Sequence, residues 1–94
     1  MNEDNKMAGG RCLRRSIFTP RDHVRVMVAT YEQYMHRATF WETVIAGEYG
    51  DDDGGVVITT HDKKSALKLH DAAVELIRLI GLKDFKALRK RVNP

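Results

Sequence analysis

Residues 23–47 read HVRVMVATYEQYMHRATFWETVIAG, and whether their first half is helix or strand sets the architecture of the whole chain. Val24, Met27, Val28, Tyr31, Tyr34, Met35 and Ala38 recur at spacings of three and four, with Arg25, Glu32, Gln33, His36 and Arg37 on the other side. That is the period of an amphipathic helix. The competing pattern is the alternation of the β-branched residues Val24, Val26, Val28 and Thr30. Turn chemistry favours the helix: no Gly, Pro, Asn or Asp lies between His23 and Gly47, so a strand from Val24 has no evident place to reverse. The preceding Thr19-Pro20-Arg21-Asp22 reads as a helix start, with a hydroxyl at the N-cap, proline at the first helical position, an acid in the first turn and Phe18 as the hydrophobic staple.

Thr39 to Tyr49 changes character. Phe40, Trp41, Thr43, Val44, Ile45 and Tyr49 are strand formers, so this segment is expected as a strand, the alternative being one long helix running on to Ala46. Gly50-Asp51-Asp52-Asp53-Gly54-Gly55 supplies a turn and Gly55 to Thr60 a second short strand, which together make a β-hairpin.

The segment THDKKSALKLHDAAVELIRLIG, residues 60–81, carries concordant signals for a long helix. Thr60 or Asp62 caps its start, and Gly81 ends it in the αL position with Leu82 packing on Ile77 in the Schellman manner. Ala66, Leu67, Leu69, His70, Ala73, Val74, Leu76, Ile77 and Ile80 occupy one half of the helical wheel, and Lys64, Lys68, Asp71, Glu75 and Arg78 the other. A short basic helix follows from Lys83 to Val92, with Phe85, Leu88 and Val92 on one side. The expected fold class is therefore α+β: a small two-layer domain with an N-terminal helix, a β-hairpin, a long amphipathic helix and a short basic C-terminal helix. Residues 1–18 are expected to be a mostly flexible basic segment, and residues 19–92 a single domain. A two-stranded sheet leaves unpaired edges, which a third strand from Arg14 to Phe18 or an edge-to-edge homodimer would cover.

Ninety-four residues that are 43% hydrophobic and 7% aromatic suffice for one modest core. The net charge of +3 is unevenly placed, at +2 in residues 1–20, +4 in residues 83–94 and −3 between them. The single cysteine, Cys12, excludes an intramolecular disulfide and points to a reducing compartment. No apolar run approaches the roughly 20 residues of a membrane span and no hydrophobic signal core opens the chain, so a cytoplasmic location is expected.

Candidate chemistry is sparse. His70 stands in the middle of the apolar arc with no second ligand one turn away, which makes it a hydrogen-bonded core histidine; a small enzyme using it is the weakest functional reading. Asp51 to Asp53 lack calcium-loop spacing, since the sixth position is Val56 and the twelfth Asp62. Cys12 and His23 have no orienting third group, and no phosphate-binding glycine pattern occurs. No catalytic residue, metal ligand or cofactor is therefore assigned. Phe40 and Trp41 lie on opposite faces of their strand, so one of them, with Tyr49, is a candidate contact for a protein partner.

At Trp41-Glu42-Thr43-Val44-Ile45, the turn, Thr60, Ala66-Leu67, His70 and Val74, the chain resembles a loose group of small bacteriophage proteins in which an E-T-(M/V)-(V/I) strand precedes a Gly/Asp turn, a strand and an A-L-x-x-H-x-x-x-V helix. The resemblance spans Phe40 to Leu76 and implies a hairpin-helix unit in which His70 is structural. It brings no activity, and implies the cytoplasm of a host cell as the location. The expected function is a non-enzymatic protein-interaction module, such as a phage accessory protein or an inhibitor of a host protein, as monomer or homodimer. The alternative is a nucleic-acid-binding module that uses Arg11, Arg14, Arg15, Arg89, Lys90 and Arg91.

Overall fold

The computed structural model describes residues 10–20, 23–47 and 55–92, the last four by their backbone alone. Strands β1 (Arg11–Phe18), β2 (Val26–Met35), β3 (Ala38–Gly47) and β4 (Val56–Thr60) precede helices α1 (Lys63–Ile80) and α2 (Leu82–Val92). The strands form one antiparallel sheet in the order β1-β2-β3-β4, so β1 and β4 are its edges.

The expected N-terminal helix is therefore absent, and the layout is a four-stranded meander followed by two helices. Residues 26–47 make a hairpin in which Met35 faces Ala38 across a two-residue turn. His36 and Arg37 occupy that turn with φ of 55° and 65°. Two successive positive φ values are the signature of a type I′ turn, whose twist matches the strands it joins and which Asn-Gly normally fills. Here a His-Arg pair fills it against its steric preference, at a cost of about 1–2 kcal/mol per residue. Thr19-Pro20 is likewise a strand connection. The Pro20 carbonyl accepts a hydrogen bond of 2.9 Å from the His23 N–H, and His23 itself has φ of 63°. Arg11–Phe18, expected within a mostly flexible basic segment whose Arg14 to Phe18 stretch is a candidate third strand, is the first strand and pairs with β2 through a bulge at Leu13.

The hairpin of β3 and β4 stands as expected, with Ile45 opposite Val56 and Trp41 opposite Thr60. Gly55, which enters β4 at φ of 84°, needs to be glycine: a Cβ there would lie 2.8 Å from the Ile45 carbonyl oxygen. Asp62 caps α1 by accepting the Ser65 N–H at 2.9 Å. Those bonds, led by the one from the Ser65 side chain, hold the Asp62 carboxyl below its ordinary range. Gly81 ends α1 at φ of 90°, its N–H reaching the Ile77 carbonyl at 2.7 Å, and its own carbonyl starts α2 by accepting from Phe85 N–H.

Both helices lie on one face of the sheet. Phe18, Val26, Val28 and Ile45 from the strands meet Ala73 and Ile77 of α1 and Leu82 and Phe85 of α2 in the core. Ile45 and Ile77 are fully buried, each worth about 1.5–3 kcal/mol by transfer from water. Arg78 lays its guanidinium over the Phe18 ring, 4.9 Å from the centroid, covering the core margin.

Candidate functional site

Among the described residues, a chain of four polar side chains enters the core. His70 of α1 is completely buried. Its Nε2 lies 2.9 Å from the Ser16 hydroxyl of β1 and its Nδ1 2.9 Å from the Thr30 hydroxyl of β2. Thr30 in turn meets the Thr43 hydroxyl of β3 at 2.8 Å. Hydroxyls both donate and accept, so either neutral ring tautomer is satisfied. No buried side-chain nitrogen or oxygen among the described residues lacks a partner. Desolvation, and then the Arg14 charge, push the His70 pKa below its ordinary value, while Asp71 opposes them. The neutral ring thus ties α1 to three strands.

Serine, imidazole and threonine in line have the outline of a nucleophile, base and orienting group. His70, however, is fully enclosed, and a surface concavity among the described residues is lined by Ile17, Arg25, Val26, Met27, Ala46 and Gly47, at a distance from it along β1 and β2. Nor do Cys12 and His23 meet: Cys12 pairs with Tyr31, at the opposite end of β1 and β2 from the His23 turn. Asp51 to Asp53 fall outside the described residues. Among the described residues, no three His, Cys, Asp or Glu side chains converge, and no helix is long and apolar enough to cross a membrane.

The three arginines of β1 singled out by sequence do not share one face. Alternation along β1 sends Arg14 to the helix side, where it meets Asp71 at 2.7 Å, and Arg15 to the other face. Arg11 pairs with Glu32 at 3.6 Å. Arg89, Lys90 and Arg91 belong to α2, with side chains outside the description. Of the aromatic residues, Trp41 is on the helix side of β3, half-buried, with its indole N–H 3.4 Å from the Glu32 carboxylate. Phe40 is half-buried on the opposite face. Tyr49 lies outside the described residues.

That opposite face is what the sequence reading missed. Neither helix covers it. The strand registers place Ile17 beside Met27 and Ala46, then Arg15 beside Ala29, Val44 and Val57, then Cys12 beside Tyr31, Glu42 and Thr59, and finally Gln33 beside Phe40. Ile17 and Val57 are each 52% exposed, while Met27, Tyr31, Phe40 and Val44 are half-buried by one another. At the centre the short Ala29 is fully enclosed by its neighbours. Gln33 donates to Glu42 at 3.1 Å, bracing the polar side. At the end near Ile17 the small residues Ala46 and Gly47 leave a concavity of about 290 Å³ with Arg25 at its rim. The sequence signal for this face was present in the apolar residues at odd positions of β2, Met27, Ala29 and Tyr31.

Comparison of the chain with protein-family models, with curated proteins and with solved structures finds no match to any of them.

Proposed function

We propose that the chain is a non-enzymatic protein-interaction module whose contact surface is the uncovered face of its sheet. One observation carries this reading: Ile17, Met27, Tyr31, Phe40, Val44 and Val57 share a face on which neither of the two described helices rests. A face that carries methionine, aliphatic and aromatic side chains with Glu42 and Arg15 among them has the mixed composition of a protein contact. Phe40, expected as a contact residue, belongs to it, whereas Trp41 supports the other side of the sheet. The nucleic-acid alternative is weaker, because Arg11 and Arg14 already face Glu32 and Asp71 and the strand divides the arginines between two faces.

The test is photocrosslinking in the producing cell from a benzophenone side chain at position 57, on the open face, against a control at position 68, exposed on α1. Polypeptide adducts from position 57 well above those from position 68 support the reading. Equal or greater yield from position 68 refutes it.

A further inference from the structure

We infer that the concavity at the Arg25 end of the sheet is a binding site for a small apolar carboxylate, one anionic head on a hydrocarbon body. The inference is independent of whether a polypeptide covers the rest of the open face. The strand registers put Ile17, Met27 and Ala46 in one row across β1, β2 and β3. Ile17 and Met27 are apolar walls, and the short Ala46 leaves the space beside them. Gly47 extends that gap. Its neighbour Val26 is 1% exposed, with its side chain in the core, so it contributes little beyond backbone here. The space is about 290 Å³. At roughly 30 Å³ apiece, the share of one water molecule in the liquid, it has room for about ten non-hydrogen atoms.

The head group follows from charge. Of these lining side chains Arg25 alone is polar. It is exposed and has no ion pair among the described residues, whereas Arg11 and Arg14 face Glu32 and Asp71 and Arg78 lies over the Phe18 ring. A guanidinium with its fork open takes a carboxylate through two parallel hydrogen bonds. A sugar, a nucleotide or a polyphosphate brings several polar groups that Ile17, Met27 and Ala46 have no means to pair, so each would lose hydration without return. An uncharged hydrocarbon leaves Arg25 without a use. One cation at the rim of an apolar hollow of this size matches an acid such as a medium-chain alkanoate, or the carboxyl end of a polypeptide with an apolar last residue.

Titration of the purified full chain with octanoate, followed through isotope-labelled methyl groups by magnetic resonance, tests this. The methyls of Ile17, Met27 and Ala46 should shift along one saturable curve with a dissociation constant on the order of 0.1–1 mM, as suits a ligand of this size. Those of Leu79 and Leu88, exposed on the helices, should stay in place. Arg25→Met should weaken binding at least about tenfold, as should octanol in place of octanoate, since each removes one member of the charged pair. Lys68→Met, on the exposed side of α1, should bind as the wild type does. Ala46→Leu fills the hollow and should abolish binding; if it fails to fold, Arg25→Met and octanol decide alone. N-acetyl-leucine separates the two sources: tighter than octanoate assigns the site to a chain end, weaker to a free acyl acid. No saturable shift with either acid, shifts shared equally by Leu79 and Leu88, or octanol binding as well as octanoate overturns the inference. None of these results bears on crosslinking from position 57, which does not line the hollow.

Discussion

Replacing Thr30 by valine and His70 by leucine, singly and together, measures how the polar chain in the core is coupled. In Thr30→Val, the Nδ1 of a fully buried ring and the Thr43 hydroxyl both lose their 2.9 Å and 2.8 Å partners. Leaving two enclosed polar groups unmet should cost about 2–4 kcal/mol. In His70→Leu the ring is gone, Thr30 keeps Thr43, and the half-buried Ser16 can turn towards water, so the cost is lower, about 1–3 kcal/mol. The double variant carries no orphaned ring nitrogen. It should therefore be more stable than the sum of the single losses by about 1–3 kcal/mol. Adding Thr43→Val should recover stability further, because an apolar set of similar shape replaces a network whose members are all satisfied or all absent. Urea unfolding followed through Trp41, the sole tryptophan, gives these values by linear extrapolation, with unchanged slope showing that the denatured state is not the cause. Additivity of the single variants within about 0.5 kcal/mol would refute the coupled network.

The same histidine makes stability depend on acidity. Its folded pKa is depressed by burial and by Arg14, so the unfolded chain binds a proton more readily than the folded one. The contribution is full above the unfolded value of 6.5 and is lost as pH falls through the lower folded value; the urea midpoint should drop over that window, and His70→Gln should flatten the drop. At the hairpin tip, His36→Asn with Arg37→Gly relieves two positive φ values and should raise stability by about 1–2 kcal/mol, a thermal midpoint shift of roughly 4–16 °C. An unchanged midpoint would show that the turn is not strained by its side chains.

How far the sequence could be read follows from which residues carried unambiguous chemistry. Asp62 and Gly81 bracket α1 where expected, because a capping carboxylate and a glycine of positive φ each suit a helix end, although Gly81 takes φ of 90° with ψ of 160° in place of the αL conformation. Thr39 to Gly47 and Val56 to Thr60 were legible as strands from their β-branched and aromatic content. His70 was legible as a core group awaiting partners, although its contacts with Ser16 and Thr30 required the sheet to be known. Residues 20–37 misled for two reasons. Their turn is built from His36 and Arg37, which advertise nothing. And β2 is apolar on both faces, so Met27, Ala29 and Tyr31 filled the gaps between Val26, Val28 and Thr30 and turned a period of two into an apparent period of three and four. The second cause is informative, because a strand with one face against helices and the other uncovered should be polar on the uncovered side. The residues that disguised the strand as a helix are the ones that make its open face a contact surface.

Side-chain footprinting by brief hydroxyl-radical exposure tests that surface most directly, using two tyrosines of one strand as probe and control. Tyr31 lies half-buried on the open face, and Tyr34, 65% exposed, points to the other side near the hairpin tip. Oxidation of Tyr31, and of Met27 beside it, should fall as extract of the producing cell is added, while Tyr34 is modified as before. Labelling of Tyr31 and Met27 that stays constant relative to Tyr34 as extract is added would contradict the account.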